Sequence, residues 1–486
     1  MNDGNQKGSN NSTDLEADDR ITQPGTRYPG AVSATPPLTT PDFAKGSIFR
    51  PILRMGLPSI IGFLSVNIYD IADMFWVAKL GAGHVAAIAL FEGFYWVLIA
   101  SNDIAGLGSV AIISRRYGEG KLDHTAAAIK ETFILKWICA LISGIIGLIF
   151  LRPLMIIMGA QGEVIDLGVQ YGRIHMIALG FYFCSYSVFT SLRSVEAPNR
   201  AMALMLFGAI FNMFLDPLLI FGVGPFPRLG IAGAAWASAI SHTLTLAIGL
   251  FIFFSRYSPV RLHWKGQVPV RFKTMIHMMK VGLPGGVNTV SFSLARAVIT
   301  PLVALFGTAV VAAYGVAMRI TLMPVLVIFG LGLGVSPLIG NLLGAGFRDR
   351  VWKTARQSIS LSMGITAVIS VVMFALAPQI IEMFFSDKEI LNIAVELLRI
   401  WALGLPFIAI WIMSESIFHG AGDNIPPMLI SIIASWVVEI PLVLLVTVGL
   451  GLDQTAVWWA RFFYFFIGAT CIYYWLRRGK WIEKEV

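Results

Sequence analysis

The sequence predicts an all-α, polytopic membrane protein: twelve transmembrane helices in two six-helix lobes related by pseudo-two-fold symmetry. Three observations predict it. The composition is too apolar for water, twelve apolar runs are long enough to cross a bilayer, and the chain repeats itself at a fixed offset. Of the 486 residues, 56% are hydrophobic and 13% charged, with 33 Phe and 13 Trp, and the mean hydropathy is +0.75. A soluble protein carries about 25% charged residues, and one aqueous core has no room for this much apolar surface, so lipid is its solvent. A net charge of +8 would suggest nucleic acid in a soluble chain. Basic loops explain it here, and no nucleic-acid partner is expected. Cys139, Cys184 and Cys471 stand inside apolar runs without CxxC or Cys/His spacing, which reads as packing rather than as disulfides or a metal site. No Walker A, HExxH or GxSxG pattern occurs, so the chain is read as a non-enzyme without a bound cofactor.

Residues 1–46 are rich in Asn, Ser, Thr, Pro and Asp, cannot bury enough surface to order themselves, and are expected to form a disordered tail. No apolar stretch follows a basic start there, so this is not a signal peptide. From Pro51 onward the spans are expected at 52–77, 84–112, 125–150, 166–191, 201–222, 231–255, 275–306, 309–340, 353–380, 390–417, 426–449 and 455–476, each near the length that crosses roughly 30 Å of hydrocarbon. Lys and Arg test the count, because positive charge collects on cytoplasmic flanks. With the N-terminus inside, the outer loops hold only Lys79, Arg152, Arg228 and Lys388, and the inner flanks hold 21 Lys and Arg, among them Arg115, Arg116, Arg256, Arg271, Arg348 and Arg477. The expected organisation is a cytoplasmic tail (1–46), a first lobe (47–256), a basic cytoplasmic linker (257–274), a second lobe (275–477) and a second tail (478–486). The chain is read as a monomer in the cell membrane with both termini cytoplasmic.

The repeat appears when the chain is slid on itself by 226 residues, which lays 55–120 on 281–346 without a gap. Gly56-Leu57-Pro58 meets Gly282-Leu283-Pro284, Gly106-Leu107-Gly108 meets Gly332-Leu333-Gly334, and Gly118 and Gly120 meet Gly344 and Gly346. Six helices per half is an even number, so both halves insert with one orientation about an axis along the membrane normal. Parallel repeats of this kind are a transporter architecture with a cavity between the halves.

Carboxylates at bilayer depth cost about 2.5–3.5 kcal/mol each on insertion scales, so each should face protein or a wet cavity. Asp70 and Asp73 lie three apart, near one face of the first helix, and Asp216 follows Asn212 by one turn in the fifth. Their counterparts in the second half are Arg296, Ile299 and Leu442. Only the first half keeps the acidic cluster. Two carboxylates brought together in a low-dielectric site do not both stay ionised cheaply, so such a pair suits a proton carrier. The bland alternative is structural ion pairing, for instance Asp70 with Arg296 across the cleft. Glu92, Asp103, Glu415 and Glu439 are further intramembrane acids that could line the cavity or pair with Arg319 or Arg461. Asp70, Glu92, Asp103, Arg296 and Glu415 are the candidate cavity residues. His175, His242 and His419 read as hydrogen-bonded core or interfacial groups. Pro58 removes a backbone hydrogen bond about four turns before Asp73 and marks a place where the first helix can kink.

The stretches YDIADMFWVAKLG (from Tyr69), HVAAIAL (from His84), AGLGSVAIISRRYGEG (from Ala105), FNMFLDPLLIFGVG (from Phe211) and GIAGAAWASAIS (from Gly230) resemble the multidrug and toxic compound extrusion (MATE) family, and the match covers about residues 50–480. The resemblance implies a V-shaped antiporter that exports drugs or metabolites in exchange for protons or sodium ions. Its archaeal and DinF-like branch implies ion-site roles for Asp73, Asp216, Asn212 and Tyr171, with Ser238 where a Thr is usual. For sodium, Asp73, Asp216 and Asn212 would be the donors. The sequence departs from the pattern at Asp70, where an Asn is familiar, and at Ser194–Asn199. It has Arg296 where NorM-like members carry an acid.

Two other functions compete with export of organic molecules by an antiporter. A lipid-linked oligosaccharide flippase of the same superfamily would need a cationic cavity, and acids dominate the first lobe. An intramembrane transferase built on His175 or His242 with Asp103 has no need of two matching halves.

Overall fold

The computed structural model describes residues 46–263, 268–385 and 387–485. The expected N-terminal tail falls outside the described residues up to residue 45, as do 264–267 of the expected linker. Twelve helices of the described chain are long and apolar enough to cross a membrane. They are α1 (Phe49–Ala78), α2 (Ala82–Gly118), α3 (Leu122–Ile157), α4 (Glu163–Ser194), α5 (Pro198–Phe221), α6 (Ile231–Phe254), α7 (Phe272–Ala304), α8 (Thr308–Gly344), α9 (Arg348–Ala375), α10 (Lys388–Ala421), α11 (Ile425–Gly449) and α12 (Gln454–Arg477). All twelve expected spans are present. Most run a few residues past the apolar stretch at one or both ends, because a helix continues beyond the hydrocarbon until a cap or a breaker stops it. Pro198 and Pro426 sit in first turns, where the missing N–H has no partner to lose. Asp387 caps α10 by accepting from the backbone of Glu389 at 2.8 Å. α11 alone is irregular, with wide turns at Ile433–Glu439 and Leu445–Gly449.

Within the first lobe α4 packs on α2, α3 and α6, while α1 packs on α5 and α5 on α6. The second lobe repeats the plan, with α10 on α8, α9 and α12 and α7 on α11. Between the lobes α1 meets α8, α2 meets α7, and α2 meets α8. Exchanging the lobes maps this set onto itself, as a pseudo-two-fold axis requires. The cores interlock the same way. Met275 and Met278 at the start of α7 are buried in the first lobe's core, and Ile52 and Met55 at the start of α1 are buried in the second's.

Small residues let the lobes close on each other. A Cβ on Gly118 would run into the Asn341 carbonyl, and a Cβ on Gly344 would run into the Arg115 carbonyl. The second contact is the first shifted by the repeat offset. These contacts, with those of Gly108 on Met278 and Gly334 on Met55, all lie on the halves of α1, α2, α7 and α8 nearest the face where α1 starts and α12 ends. Toward the opposite face, Ile71, Trp96, Phe292 and Arg296 on the same four-helix seam are exposed. The seam is closed at the terminal face and open at the other.

Candidate ion and substrate site

α5 presents Asn212 and Asp216 one turn apart, both fully buried, and Pro217 leaves the Met213 carbonyl without its helical N–H partner. Ser238 of α6 faces them. With its amide oxygen turned to Ser238, Asn212 accepts from the Ser238 N–H at 3.2 Å and the hydroxyl at 3.3 Å. Its Nδ2 then donates to Asp216 Oδ2 at 3.0 Å. That leaves Asp216 Oδ1 without a partner and out of reach of solvent, and Asp73 Oδ1 on α1 is in the same condition. The two carboxylates lie within range of each other's charge. Asp70 and Glu92 extend the acidic group, both interacting with Asp73, and both are exposed toward the open side of the seam. Such unpaired carboxylate oxygens are hard donors, and what completes them is a proton or a hard cation. Among the described residues there is no group of three or more His, Cys, Asp and Glu side chains that could hold a metal ion.

Tyr171 is buried on α4, its ring 5.4 Å from Phe91 and 4.3 Å from His175. From there a column of rings runs along the lobe: His175 stacks on Tyr182 at 5.3 Å, and Tyr182 lies 4.4 Å from His242. His242 Nδ1 bonds the Ser185 hydroxyl at 2.7 Å, and its Nε2 is 3.5 Å from the Tyr69 hydroxyl. Tyr69, Tyr186, Asn212 and His242 line one pocket beside the ion cluster.

The candidate cavity residues divide into separate places. Asp103 of α2 accepts from the Thr289 hydroxyl of α7 at 3.2 Å, a bond that crosses the lobes. Glu415 of α10 accepts from Asn288 Nδ2 at 2.5 Å. Arg296 stands apart from both, its guanidinium 3.2 Å from the Met318 sulfur. The ion pair with Asp70 considered above is absent among the described residues. Glu439 pairs with Arg461 at 3.3 Å rather than lining the cavity. Cys139 and Cys184 are buried as expected, but Cys471 is exposed on α12, so packing does not explain it. Lys136 on α3 was missed by motif reading. It is buried, bonds the Asn102 carbonyl and, at 2.5 Å, its Oδ1, next to Asp103. A lone lysine inside an apolar run was the available signal.

A model of the MatE family matches residues 58–218 and again 284–445, beginning on Pro58 and on Pro284, one repeat offset apart. The chain belongs to the MatE family. MATE proteins of similar sequence include the probable multidrug resistance protein YoeA of Bacillus subtilis, 27% identical over 87% of this chain and 92% of its own. The multidrug export protein MepA of Staphylococcus aureus (strain MRSA252) is 26% identical over 86% and 91%. Among solved structures, a MOP superfamily transporter from Pyrococcus furiosus superposes with a TM-score of 0.83 at 23% identity, covering 91% of this chain and 98% of that one. A MATE described in an outward-facing conformation gives 0.82 at 23%, covering 90% and 98%. The fold of this chain is the MATE fold, and its family is one of transporters.

Proposed function

We propose that this MATE protein is a secondary antiporter that exports organic molecules, often cationic drugs or metabolites, in exchange for protons or sodium ions by alternating access. The observation that carries the reading is the pair of buried, unpartnered carboxylate oxygens on Asp73 and Asp216, present in one lobe only. An acid left unsatisfied at bilayer depth costs stability, and ion handling is the usual reason such a group persists. Relatives named for multidrug resistance and multidrug export support the substrate class. The monomer in the cell membrane with cytoplasmic termini belongs to the same reading.

The coupling follows from where the charges sit. Binding an ion at Asp73, Asn212 and Asp216 neutralises a cluster that also attracts an organic cation through Asp70 and Glu92, so ion and substrate compete. α1 carries Asp73 and runs through Pro58, where one hydrogen bond is already missing, and a change of shape there is cheap. Neutralisation favours one shape of α1, and the shape that narrows the first-lobe cavity expels the substrate. Reciprocity then requires that substrate binding weaken ion binding by the same factor.

The test is export of ethidium, a fluorescent organic cation, from proteoliposomes with a proton gradient or a sodium gradient imposed separately. One gradient should drive accumulation. Equal flux with neither, either or both gradients rules out antiport.

A further inference from the structure

His419 lies one turn after Glu415 on α10. Its Nδ1 is 2.7 Å from Asn424 Oδ1 and its Nε2 is 3.6 Å from Glu415 Oε1. The orientation of the Asn424 amide is fixed, because Nδ2 donates to the Val281 carbonyl at 2.6 Å, which turns Oδ1 to the ring. Both imidazole nitrogens therefore face oxygen acceptors. A neutral imidazole has one N–H and one lone pair, so it would aim that lone pair at an oxygen; only the imidazolium offers a proton to both. The repeat supplies an independent sign. The residue at the equivalent position of the first lobe is Arg193, also buried and by type a far stronger base than imidazole. The fold places a cation here in each lobe, fixed in the first and titratable in the second.

We propose that His419 is a second proton-binding site of this transporter, in the opposite lobe from Asp73 and Asp216, and that its proton fastens α7 to α10 and α11. The role in transport rests on the alternating-access reading above. With the proton in place, the imidazolium balances Glu415, which holds Asn288 of α7, and donates to Asn424, which holds Val281 of α7. Thr289, which follows Asn288, bonds Asp103 in the first lobe. α7 is thus tied both to its own lobe and to α2. When the proton leaves to water, Glu415 loses its counter-charge and one ring nitrogen faces an oxygen across a lone pair. The ties through Asn288 and Asn424 weaken, and the closed end of the seam is freed to part.

The groups facing His419 are few. Glu415 stands on its own helix, Asp103 on α2 with Lys136 of α3 beside it, and neutral Asn424 at the head of α11. Tyr464 of α12 is within range of Glu415. Asp423, the neighbouring acid, is engaged by Lys484 at 3.7 Å.

The experiment uses the full chain with Cys471→Ser, reconstituted in liposomes with neither gradient nor substrate, and spin labels on Lys121→Cys and Arg348→Cys at the closed face. Inter-label distances are read from about pH 5 to 9, the range around histidine titration. The expected result is a single short distance at low pH, with a longer population growing severalfold as pH rises. His419→Arg should hold the short distance throughout, and His419→Gln should show the longer one at every pH. Glu415→Gln, which keeps the shape but removes the counter-charge, should open the seam at lower pH than the unsubstituted chain. The same pH dependence in His419→Arg as in the unsubstituted chain overturns the proposal, as does a distance that ignores pH. Because no gradient or substrate enters this measurement, a failure of antiport in the export assay leaves its outcome readable.

Discussion

The two lobes share one backbone plan and part company in how they treat buried charge. In the first, Asp73, Asn212 and Asp216 leave two carboxylate oxygens unpaired; the equivalent positions of the second are Ile299, Val438 and Leu442. Where the second lobe buries an acid in α11, it compensates it. Glu439 meets Arg461 at 3.3 Å, and Arg461 lies over the rings of Trp401 and Phe465 at 5.6 and 5.7 Å. The duplicated scaffold leaves the acid of α5 open for an exchangeable partner and closes the acid of α11 on a cation. The unpaired acids are buried with a charge that a proton or a cation would neutralise, whereas a closed pair is already neutralised by its own partner.

The largest expected effect comes from closing the open set. Asp73→Asn and Asp216→Asn keep shape and remove the cycling charge, so each should lower ion-driven ethidium export on the order of a hundredfold or more, as loss of an essential proton-transfer group does. Near-normal export by both substituted chains, at normal expression, would erase the contrast between lobes. Opening the closed set should act on stability instead. Glu439→Gln leaves the Arg461 charge buried alone and should cost about 3–5 kcal/mol, read as a drop in the melting temperature of the purified protein. Replacing both partners, Glu439→Leu with Arg461→Met, should recover most of that loss. Asp70→Asn should reduce export only a fewfold, because Asp70 is exposed and Asp73 remains; a loss as deep as that of Asp73→Asn would make Asp70 part of the ion site itself.

The smallest effect concerns the loop ending α4. Glu196 has φ 59 and its repeat counterpart Gly422 has φ 77, so the first lobe puts a side chain where the second has the residue suited to the left-handed region. Burial pushes the Glu196 carboxyl up to about 7, with the Arg54 charge working the other way. The folded chain holds this proton at pH values where the unfolded chain releases it. Its contribution is therefore complete below the ordinary glutamate value, 4.5, is lost as pH climbs toward about 7, and is constant above. Glu196→Gly should remove that pH dependence and add about 1 kcal/mol by relieving the backbone, seen as a small rise in melting temperature. No change in either quantity would mean that the loop tolerates both residues equally.

Much of the site was legible in the sequence, and the limits have a physical cause. Asp73, Asn212 and Asp216 stand out in a one-dimensional reading because charge inside an apolar run is costly wherever the run folds. Which acids find partners is a different matter. Glu439 finds Arg461 on the next helix and Asp103 finds Thr289 in the other lobe; Asp70 finds neither Arg296 nor any other cation among the described ion pairs. Lys136 escaped because lysine was counted for orientation along the loops rather than sought inside a span.

The sequence by itself determined that the chain lives in lipid, crosses it twelve times and is a duplication, because bilayer thickness sets the length of an apolar run and the offset of a repeat survives in the order of residues. It also determined which lobe keeps the acids. Only the tertiary structure decided that the first turns of α1 and α7 are buried in each other's lobes, that the seam closes at one face through the Gly118 and Gly344 contacts, and that His419 stands between two acceptors. These depend on which helix meets which across tens to hundreds of residues. In lipid that choice is made by close packing and by hydrogen bonds rather than by hydrophobicity, and the hydropathy of a run does not carry it.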